Sequence, residues 1–285
     1  MDRSGLTWRR AIAGVLTLVV VAYAATIGWL IANETRLVFR ADAPFDARRP
    51  AQPYEQLEEP PAATGGRPTG RAWLMPAVSP GAAVWVVYLH GNDSTLASRM
   101  NVLHYERLRA LGVNVLAPEY RGFGGLAGTP TEPGLAEDAA HWYDYLRTRR
   151  HVDPQHIVIY GWSLGSAVAV TLASHVDAAA VVLEGAPASI VAIGQQRYPM
   201  FPVRLIIRNP FESILRVGAI HAPILFLHSP EDVVVPIGEA RRLFAAAPQP
   251  KQFVEVAGGH IYASEKDPRF FPAVASFLHS RRLLP

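Results

Sequence analysis

Apolar residues are arranged in two ways that alternate along the chain from residue 72 onward. Short apolar runs rich in β-branched residues predict buried parallel strands, whereas apolar residues three and four positions apart predict helices. The predicted strands are 72–75, 83–89, 113–117, 156–160, 178–183, 223–227 and 252–256, and the predicted helices are 96–111, 135–150, 166–174, 238–247 and 268–281. This alternation predicts an α/β fold with a mostly parallel, doubly wound sheet.

The N-terminal part of the chain contains an apolar stretch, residues 11–32, without a charged side chain. As a helix, this stretch would span about 33 Å, which is enough to cross the hydrocarbon core of a bilayer. Arg3, Arg9 and Arg10 precede it and predict that residues 1–10 are cytoplasmic, with the following domain on the extracytoplasmic side. We therefore predict a single-pass transmembrane anchor over residues 11–32.

A cleaved signal peptide is the alternative interpretation of the same stretch. The segment Ala22-Tyr23-Ala24 has the small-x-small pattern of a cleavage site, and cleavage would give a secreted protein. The apolar run continues to Ala32, which is longer than a signal peptide needs and favours the anchor. A buried core helix is disfavoured because the stretch has no polar face.

Residues 33–70 are rich in Pro, Ala and Arg and predict a connector, with one edge strand near residues 37–39. Residues 71–285 then form the predicted domain of the α/β type. The net charge is +3 and the arginines are scattered, so the sequence does not predict nucleic-acid binding. The chain has no cysteine, which excludes disulfides, a cysteine nucleophile and thiolate metal sites. No motif calls for a metal or cofactor.

The segment Gly161-Trp162-Ser163-Leu164-Gly165 lies between the predicted strand 156–160 and the predicted helix 166–174. Strand, Gly-x-Ser-x-Gly turn and helix together are typical of a nucleophile elbow. The small residues two before and two after the serine allow a sharp turn, and the start of the helix favours developing negative charge near Ser163 Oγ. We predict that Ser163 is a nucleophile.

A serine needs a base with a pKa near neutrality, which indicates a histidine. The histidines after Ser163 are His175, His221, His228, His260 and His279. His260 follows Gly258 and Gly259 directly after the last predicted strand, at the sheet edge where ligands gather in open α/β sheets. We predict that His260 is the base, with His228 as the second candidate, more simply interpreted as a structural neighbour of the loop that carries the acid.

The imidazole also needs a carboxylate to orient it and to stabilise its positive form. Asp232 follows the predicted strand 223–227, and the chain order serine, acid, histidine favours it. Glu184 ends the preceding strand and is the rival acid. Glu231 is adjacent to Asp232 and is expected to point away from the site.

An oxyanion needs two preorganised N–H donors. One is predicted to be the backbone N–H of Leu164, which follows the nucleophile. The other is predicted to be the N–H of Asn92, in the His90-Gly91-Asn92 segment that follows the strand 83–89, with the N–H of Asp93 as the second choice. His90 is interpreted as a structural residue.

Residues 71–281 resemble α/β-hydrolase fold serine hydrolases, in particular the membrane-anchored α/β-hydrolase domain-containing proteins. That group includes acyl-protein thioesterases and monoacylglycerol or lysophospholipid lipases. The motifs that carry the resemblance are Leu89-His90-Gly91-Asn92, Glu119-Tyr120-Arg121-Gly122-Phe123-Gly124, Gly161-Trp162-Ser163-Leu164-Gly165, Asp232 with Val235-Pro236, and Gly259-His260.

The resemblance implies a Ser163, Asp232, His260 triad that cleaves esters or thioesters through an acyl-serine, without metal or cofactor. Two features depart from the pattern. Gly124-Gly125-Leu126 stands where Gly-x-Ser is common, and Asp93 places a carboxylate beside the expected oxyanion donor.

Room for a cap exists only between Glu184 and His221, so the cap is predicted to be small. Its apolar segment 197–203, interrupted by prolines, would either meet acyl substrates such as lipids or merely close the core. A non-catalytic binding or scaffold protein on the same fold and a serine peptidase or amidase remain alternative functions. Acyl-chain length, leaving group and oligomeric state are left open by the sequence.

Overall fold

A computed structural model describes residues 3–41, 48–60 and 66–284 of the protein. Its strands are β1 (Glu55–Glu59), β2 (Gly70–Met75), β3 (Trp85–Leu89), β4 (Asn114–Glu119), β5 (Ile157–Trp162), β6 (Ala180–Glu184), β7 (Ile224–His228) and β8 (Lys251–Glu255). Its α-helices are α1 (Arg3–Ala32), α2 (Glu34–Val38), α3 (Arg99–Ala110), α4 (Glu132–Arg149), α5 (Leu164–Ala173), α6 (Ile190–Arg197), α7 (Val203–Ile206), α8 (Ile237–Ala246), α9 (Gly259–Lys266) and α10 (Phe270–Ser280).

Within these described residues the strands form one eight-stranded sheet in the order β1-β2-β4-β3-β5-β6-β7-β8. The pairs β1–β2 and β2–β4 are antiparallel, and every other pair is parallel. The carboxyl ends of β5 to β8 therefore meet at one edge of the sheet. The predicted mostly parallel sheet is confirmed.

Both faces of the sheet are covered, because side chains of the central strands alternate between two apolar cores. Val87 and Leu89 of β3 pack with α4, α5 and α8 on one face. Val86 and Tyr88 pack with α3 and α10 on the other. Helices on both faces of a parallel sheet make the fold doubly wound, as predicted.

Two expectations for the 33–70 connector need correction. The edge strand predicted near residues 37–39 is wrong, since residues 34–38 form helix α2 and Phe39 is buried against Phe211. A three-residue apolar run is too short for periodicity to separate a strand from a helix end. The sheet also begins earlier than residue 71, because β1 pairs with β2 from Glu55 onward. The polar sequence of β1 gives no hydrophobic alternation by which to detect it.

Helix α1 contains a long, mostly apolar stretch, Trp8–Ala32. Its length and composition suit a membrane span, and a signal sequence shares both properties. Apolar side chains such as Leu18 and Val20 are more than half exposed. The helix also contacts the domain, because the Tyr23 hydroxyl donates to the Met200 carbonyl at 2.7 Å.

The turn between β5 and α5 leaves no room for a side chain at Gly165, where a Cβ atom would lie 2.0 Å from the Leu89 carbonyl oxygen. Gly165→Ala should therefore overpack this contact, lowering the free energy of unfolding by about 3 kcal/mol or more. The expected drop in melting temperature is about 6 °C or more, measured by tryptophan fluorescence in detergent.

Gly218→Ala is the matched control for Gly165→Ala, because a Cβ atom at Gly218 meets nothing within 4 Å. It should melt within about 2 °C of the wild type. Equal melting temperatures for the two variants would contradict the close approach of α5 to β3.

Candidate active site

Ser163 occupies the turn between β5 and α5 with a strained backbone, φ +55° and ψ −118°. A positive φ is rare for a residue with a side chain and persists only where the surroundings impose it. Here the Ser163 N–H donates to the Glu184 carbonyl at 2.8 Å, and the Ser166 N–H donates to the Ser163 carbonyl at 2.9 Å. A Cβ atom on Gly161 would lie 2.3 Å from the Gly165 carbonyl oxygen, so the turn requires glycine there.

The structure brings the three predicted side chains of the site together in one chain of hydrogen bonds. Ser163 Oγ lies 2.8 Å from His260 Nε2, and His260 Nδ1 lies 2.6 Å from Asp232 Oδ2. The sequence separations are 97 and 28 residues, so the contacts depend on the fold. His260 is the second residue of α9 and follows Gly258 and Gly259, whose φ angles of +108° and +70° turn the chain back over the sheet edge.

Asp232 is held by the loop that follows β7. Its Oδ1 accepts hydrogen bonds from the Val234 and Val235 N–H groups at 2.9 and 2.8 Å, which leaves Oδ2 to face His260. These bonds fix the orientation of the carboxylate. The side chain is 1% exposed, so the orientation is shielded from water.

His228 is a neighbour of this carboxylate and does not face Ser163. Its Nε2 donates to the Val235 carbonyl at 2.9 Å and lies 3.5 Å from Asp232 Oδ2. Burial lowers the pKa of His228 below its ordinary value, so the ring is neutral at neutral pH. A neutral ring does not compete with His260 for the charge of Asp232, in keeping with a structural role for His228.

Glu184, the rival acid, is engaged by two other side chains. Its Oε2 accepts from the Tyr160 hydroxyl at 2.7 Å and from His104 Nε2 at 2.9 Å. Glu231 is also turned away from His260, since its Oε2 accepts from the Gly258 N–H at 3.2 Å. The geometry therefore places Asp232, and neither glutamate, behind His260.

Leu164 follows the serine directly, and the loop that carries Asn92 passes beside the serine. Leu164 is the first residue of α5, so its N–H has no partner within the helix. The loop after β3 passes close to Ser163, because a Cβ atom on Gly91 would lie 3.3 Å from Ser163 Cβ. Asn92 comes next in this loop. Its backbone N–H is the donor expected from the sequence.

The side chain of Asn92 has a second role that sequence reasoning missed. Its Nδ2 donates to the Val38 carbonyl at 2.6 Å, and its Oδ1 accepts from the Arg40 N–H at 2.9 Å. Arg40 also pairs with Asp93 at 3.1 Å, which offsets the carboxylate that stood beside the expected donor. The segment after α2 is thus fastened to the loop that follows β3.

His90 is fully buried and stabilises the loop that follows β3. Its Nε2 lies 2.8 Å from Glu119 Oε1, while Glu119 Oε2 accepts from the Leu96 N–H at 3.1 Å. Both contacts fix the loop and neither reaches Ser163. The structural interpretation of His90 agrees with this geometry.

A second buried pair, His104 with Glu184, was not detected from the sequence. The His104 ring stacks on the Trp162 indole at 5.5 Å, and Trp162 Nε1 donates to the His260 carbonyl at 3.3 Å. Burial alone would lower the pKa of His104, but the charge of Glu184 and its hydrogen bond outweigh burial and raise the pKa. A single histidine within a helical pattern carries no local signal of such a pair.

Residues 86–282 match a family model described as the alpha/beta hydrolase family. The chain belongs to the alpha/beta hydrolase family. The matched range contains Ser163, Asp232 and His260 together with the loop that follows β3. Within the part of the hydrolase that the structure describes, no group of three or more His, Asp or Glu residues is placed to hold a metal ion.

Two relatives are similar to this chain over most of its length. It is 34% identical over 262 residues to an uncharacterised Mycobacterium tuberculosis protein, MT2364, covering 86% of this chain and 87% of that protein. It is 29% identical over 185 residues to alpha/beta hydrolase domain-containing protein 17B of Homo sapiens, and the match covers 64% of this chain and 62% of that protein. The resemblance to α/β-hydrolase domain-containing proteins is confirmed.

Solved structures agree on the fold. The esterase Pf2001 of Pyrococcus furiosus superposes with a TM-score of 0.66 at 17% identity, covering 84% of the hydrolase and 98% of that chain. The esterase domain of a Rhodothermus marinus protein superposes with a TM-score of 0.59 at 21% identity, covering 81% of this chain and 99% of that chain. At these identities the likeness establishes the α/β-hydrolase fold and nothing finer.

The buried His104–Glu184 pair should make stability depend on pH. Below the ordinary histidine value of 6.5, the folded and unfolded chains both carry the proton and the pair contributes fully. Its contribution is lost as the pH rises through the higher pKa of the folded state. His104→Gln removes one charge of the pair and should cost about 3 kcal/mol at pH 6, or about 6–12 °C in melting temperature.

The melting temperatures of wild type and His104→Gln should converge between pH 6 and pH 9. The exposed His175, replaced by glutamine, is the control and should follow the wild type at every pH. A constant gap between wild type and His104→Gln over this range would show that His104 does not bind its proton more tightly on folding.

Proposed function

We propose that this hydrolase cleaves carboxylic esters or thioesters of acyl substrates through an acyl-serine intermediate. The observation that carries the proposal is the chain of short contacts from Ser163 through His260 to Asp232, mounted on a strained strand-to-helix turn. Nucleophile, base and orienting carboxylate are the arrangement that acyl transfer requires. Structural neighbours that are named esterases make ester hydrolysis the first activity to test.

The proposed reaction begins when Ser163 Oγ attacks the acyl carbon and His260 Nε2 takes the hydroxyl proton. The N–H groups of Leu164 and Asn92 donate to the oxyanion that forms. The intermediate collapses as the bond to the leaving alcohol or thiol breaks and His260 returns the proton to that group. Water then attacks the acyl-serine while His260 takes a proton from it. As the bond between Ser163 Oγ and the acyl carbon breaks, His260 returns this proton to Ser163 Oγ and the carboxylic acid leaves. Asp232 orients His260 and stabilises the imidazolium.

The cap supports acyl chains as the substrate class. It leaves the sheet after β6, at the edge where β5, β7 and β8 deliver Ser163, Asp232 and His260. Between α6 and α7 the chain is apolar and prolines interrupt it. An apolar cap that leaves the sheet at the same edge as the site favours apolar substrates over polar ones. A lipid ester or a lipid-modified thioester is therefore the substrate class we propose.

We also propose that α1 remains attached and anchors the hydrolase in a membrane, with the N-terminus cytoplasmic. Its apolar length supports a span, and Arg9 and Arg10 at its start support the orientation. Arg36 and Arg40 follow the helix closely and reduce the charge difference on which the orientation depends. The secreted alternative requires cleavage after Ala24, which would remove the part of α1 that contains Tyr23.

Covalent labelling tests whether the protein is an enzyme. A fluorophosphonate probe should label the wild-type hydrolase in detergent, and Ser163→Ala should abolish the labelling because the probe needs an activated serine oxygen. Asp232→Asn should lower ester turnover by about 10⁴-fold, since the imidazole would take the wrong tautomer.

Ser174→Ala, at the end of the same helix α5, is the matched control and should label like the wild type. Each variant is checked by its melting temperature. Absence of labelling in a folded wild-type protein would favour the scaffold alternative, and turnover of amides but not esters would favour a peptidase or amidase.

Acyl-chain length tests the substrate class. Initial rates with p-nitrophenyl esters should rise from acetyl and butyryl to chains of about ten carbons, because each additional buried methylene favours binding. A long-chain thioester measured beside them should also be cleaved. A preference for acetyl over the longer chains would exclude lipid acyl groups as the natural substrate.

A further inference from the structure

Helix α1 is docked on the cap at a defined level. The Tyr23 hydroxyl donates to the Met200 carbonyl at 2.7 Å, and the Tyr23 ring stacks on Phe201 with centroids 5.8 Å apart and planes 9° apart. The loop between α6 and α7 is therefore placed beside the apolar helix.

A second attachment lies just beyond the end of α1. The buried Glu34 carboxylate accepts hydrogen bonds from the N–H groups of Arg208 and Asn209 at 3.2 and 3.1 Å, and from the Asn209 side-chain amide. A carboxylate removed from water is costly unless such donors surround it, so this contact is firmly held. Two attachments, at Tyr23 and at Glu34, fix the direction of α1 against the cap.

The length of α1 then determines how near the cap lies to a membrane. Arg9 and Arg10 belong at the first interface, so the hydrocarbon core begins near Ala11. Tyr23 lies about 18 Å farther along the helix, whereas the core is about 30 Å thick. The far interface is reached only beyond Tyr23. A cap held at the level of Tyr23 therefore meets the bilayer.

The cap is chemically suited to that position. Its exposed apolar side chains are Tyr198, Met200 and Leu205, with exposed fractions of 53%, 72% and 85%. Arg197, Arg204 and Arg208 are exposed around them, and residues 190–211 contain no Asp or Glu. Apolar side chains flanked by arginines suit an interface of acyl chains and anionic headgroups.

We propose that the cap surface, made of Arg197, Tyr198, Met200, Arg204, Leu205 and Arg208, is inserted into one leaflet of an anionic bilayer. Met200, at the level of Tyr23, then lies among the acyl chains, and Arg208, at the level of Glu34, lies among the headgroups. The partner is the lipid surface itself, contacted next to the point where α1 enters it. The active-site edge of the sheet then opens at the membrane, where long acyl chains are available without passing through water. The inference rests on an attached α1 and is tested by a readout that needs no turnover.

The chain has no cysteine, so one introduced cysteine can carry a single fluorophore. Leu205→Cys, labelled with an environment-sensitive nitrobenzoxadiazole dye, is reconstituted as the full-length protein into phosphatidylcholine vesicles with about 30% phosphatidylglycerol. Intact mass shows that α1 is retained. Emission should shift to the blue, and lipids with a shallow doxyl quencher should lower it at least twofold.

His175→Cys is the matched control, since His175 is exposed just after α5, at the opposite edge of the sheet from the site. Its dye should emit as in water and should not be quenched. Quenching at residue 205 should be weaker in the triple variant Arg197→Gln, Arg204→Gln, Arg208→Gln. It should also be weaker in vesicles of phosphatidylcholine alone.

Water-like, unquenched emission at residue 205 in anionic vesicles overturns the proposal. A blue shift without doxyl quenching also overturns it, because a second protein copy would then cover the cap surface. Equal quenching in vesicles without phosphatidylglycerol overturns the claim that the cap surface needs anionic lipids. Fluorophosphonate labelling of the same vesicles reports separately on the proposed function, so failure of one does not imply failure of the other.

Discussion

The site depends on one backbone constraint, the positive φ of Ser163 in the turn between β5 and α5. Such a conformation costs on the order of 1–3 kcal/mol and must be imposed by its surroundings. The surroundings are the Ser163 N–H bond to the Glu184 carbonyl and two glycines, Gly161 and Gly165, that admit no side chain. Sheet and helix thereby place the serine hydroxyl above the sheet edge, where His260 is within hydrogen-bonding distance.

Buried polar pairs keep the remaining loops at that edge in place. His90 with Glu119 supports the loop after β3, and His104 with Glu184 lies beneath Trp162. On the outer side, Asn92 links the same β3 loop to the segment that follows α2. The expected oxyanion donors are thus positioned jointly by the core of the domain and by the chain leading from the apolar helix. In this arrangement the N-terminal segment is part of the site's support as well as a connector.

How much the sequence could predict depended on how local each signal is. The elbow could be predicted because strand, Gly-x-Ser-x-Gly turn and helix are contiguous in the sequence. The chain order serine, acid, histidine then favoured Asp232 and His260, which lie in one chain of hydrogen bonds with Ser163. Strand β1 was missed because Glu55-Gln56-Leu57-Glu58-Glu59 lacks apolar alternation, so only its pairing with β2 makes it a strand. Glu34 with Asn209 joins residues 175 apart, and no local pattern marks such a contact.

The most direct test of the central claim is to trap the acyl group on the elbow serine. The full-length protein in detergent is mixed with p-nitrophenyl decanoate, quenched in acid within milliseconds and mapped by peptide mass spectrometry. The activated leaving group makes deacylation the slow step, so the account predicts a burst of p-nitrophenol and a decanoyl adduct on Ser163. Steady turnover with no adduct on Ser163, or an adduct on another residue, would contradict it.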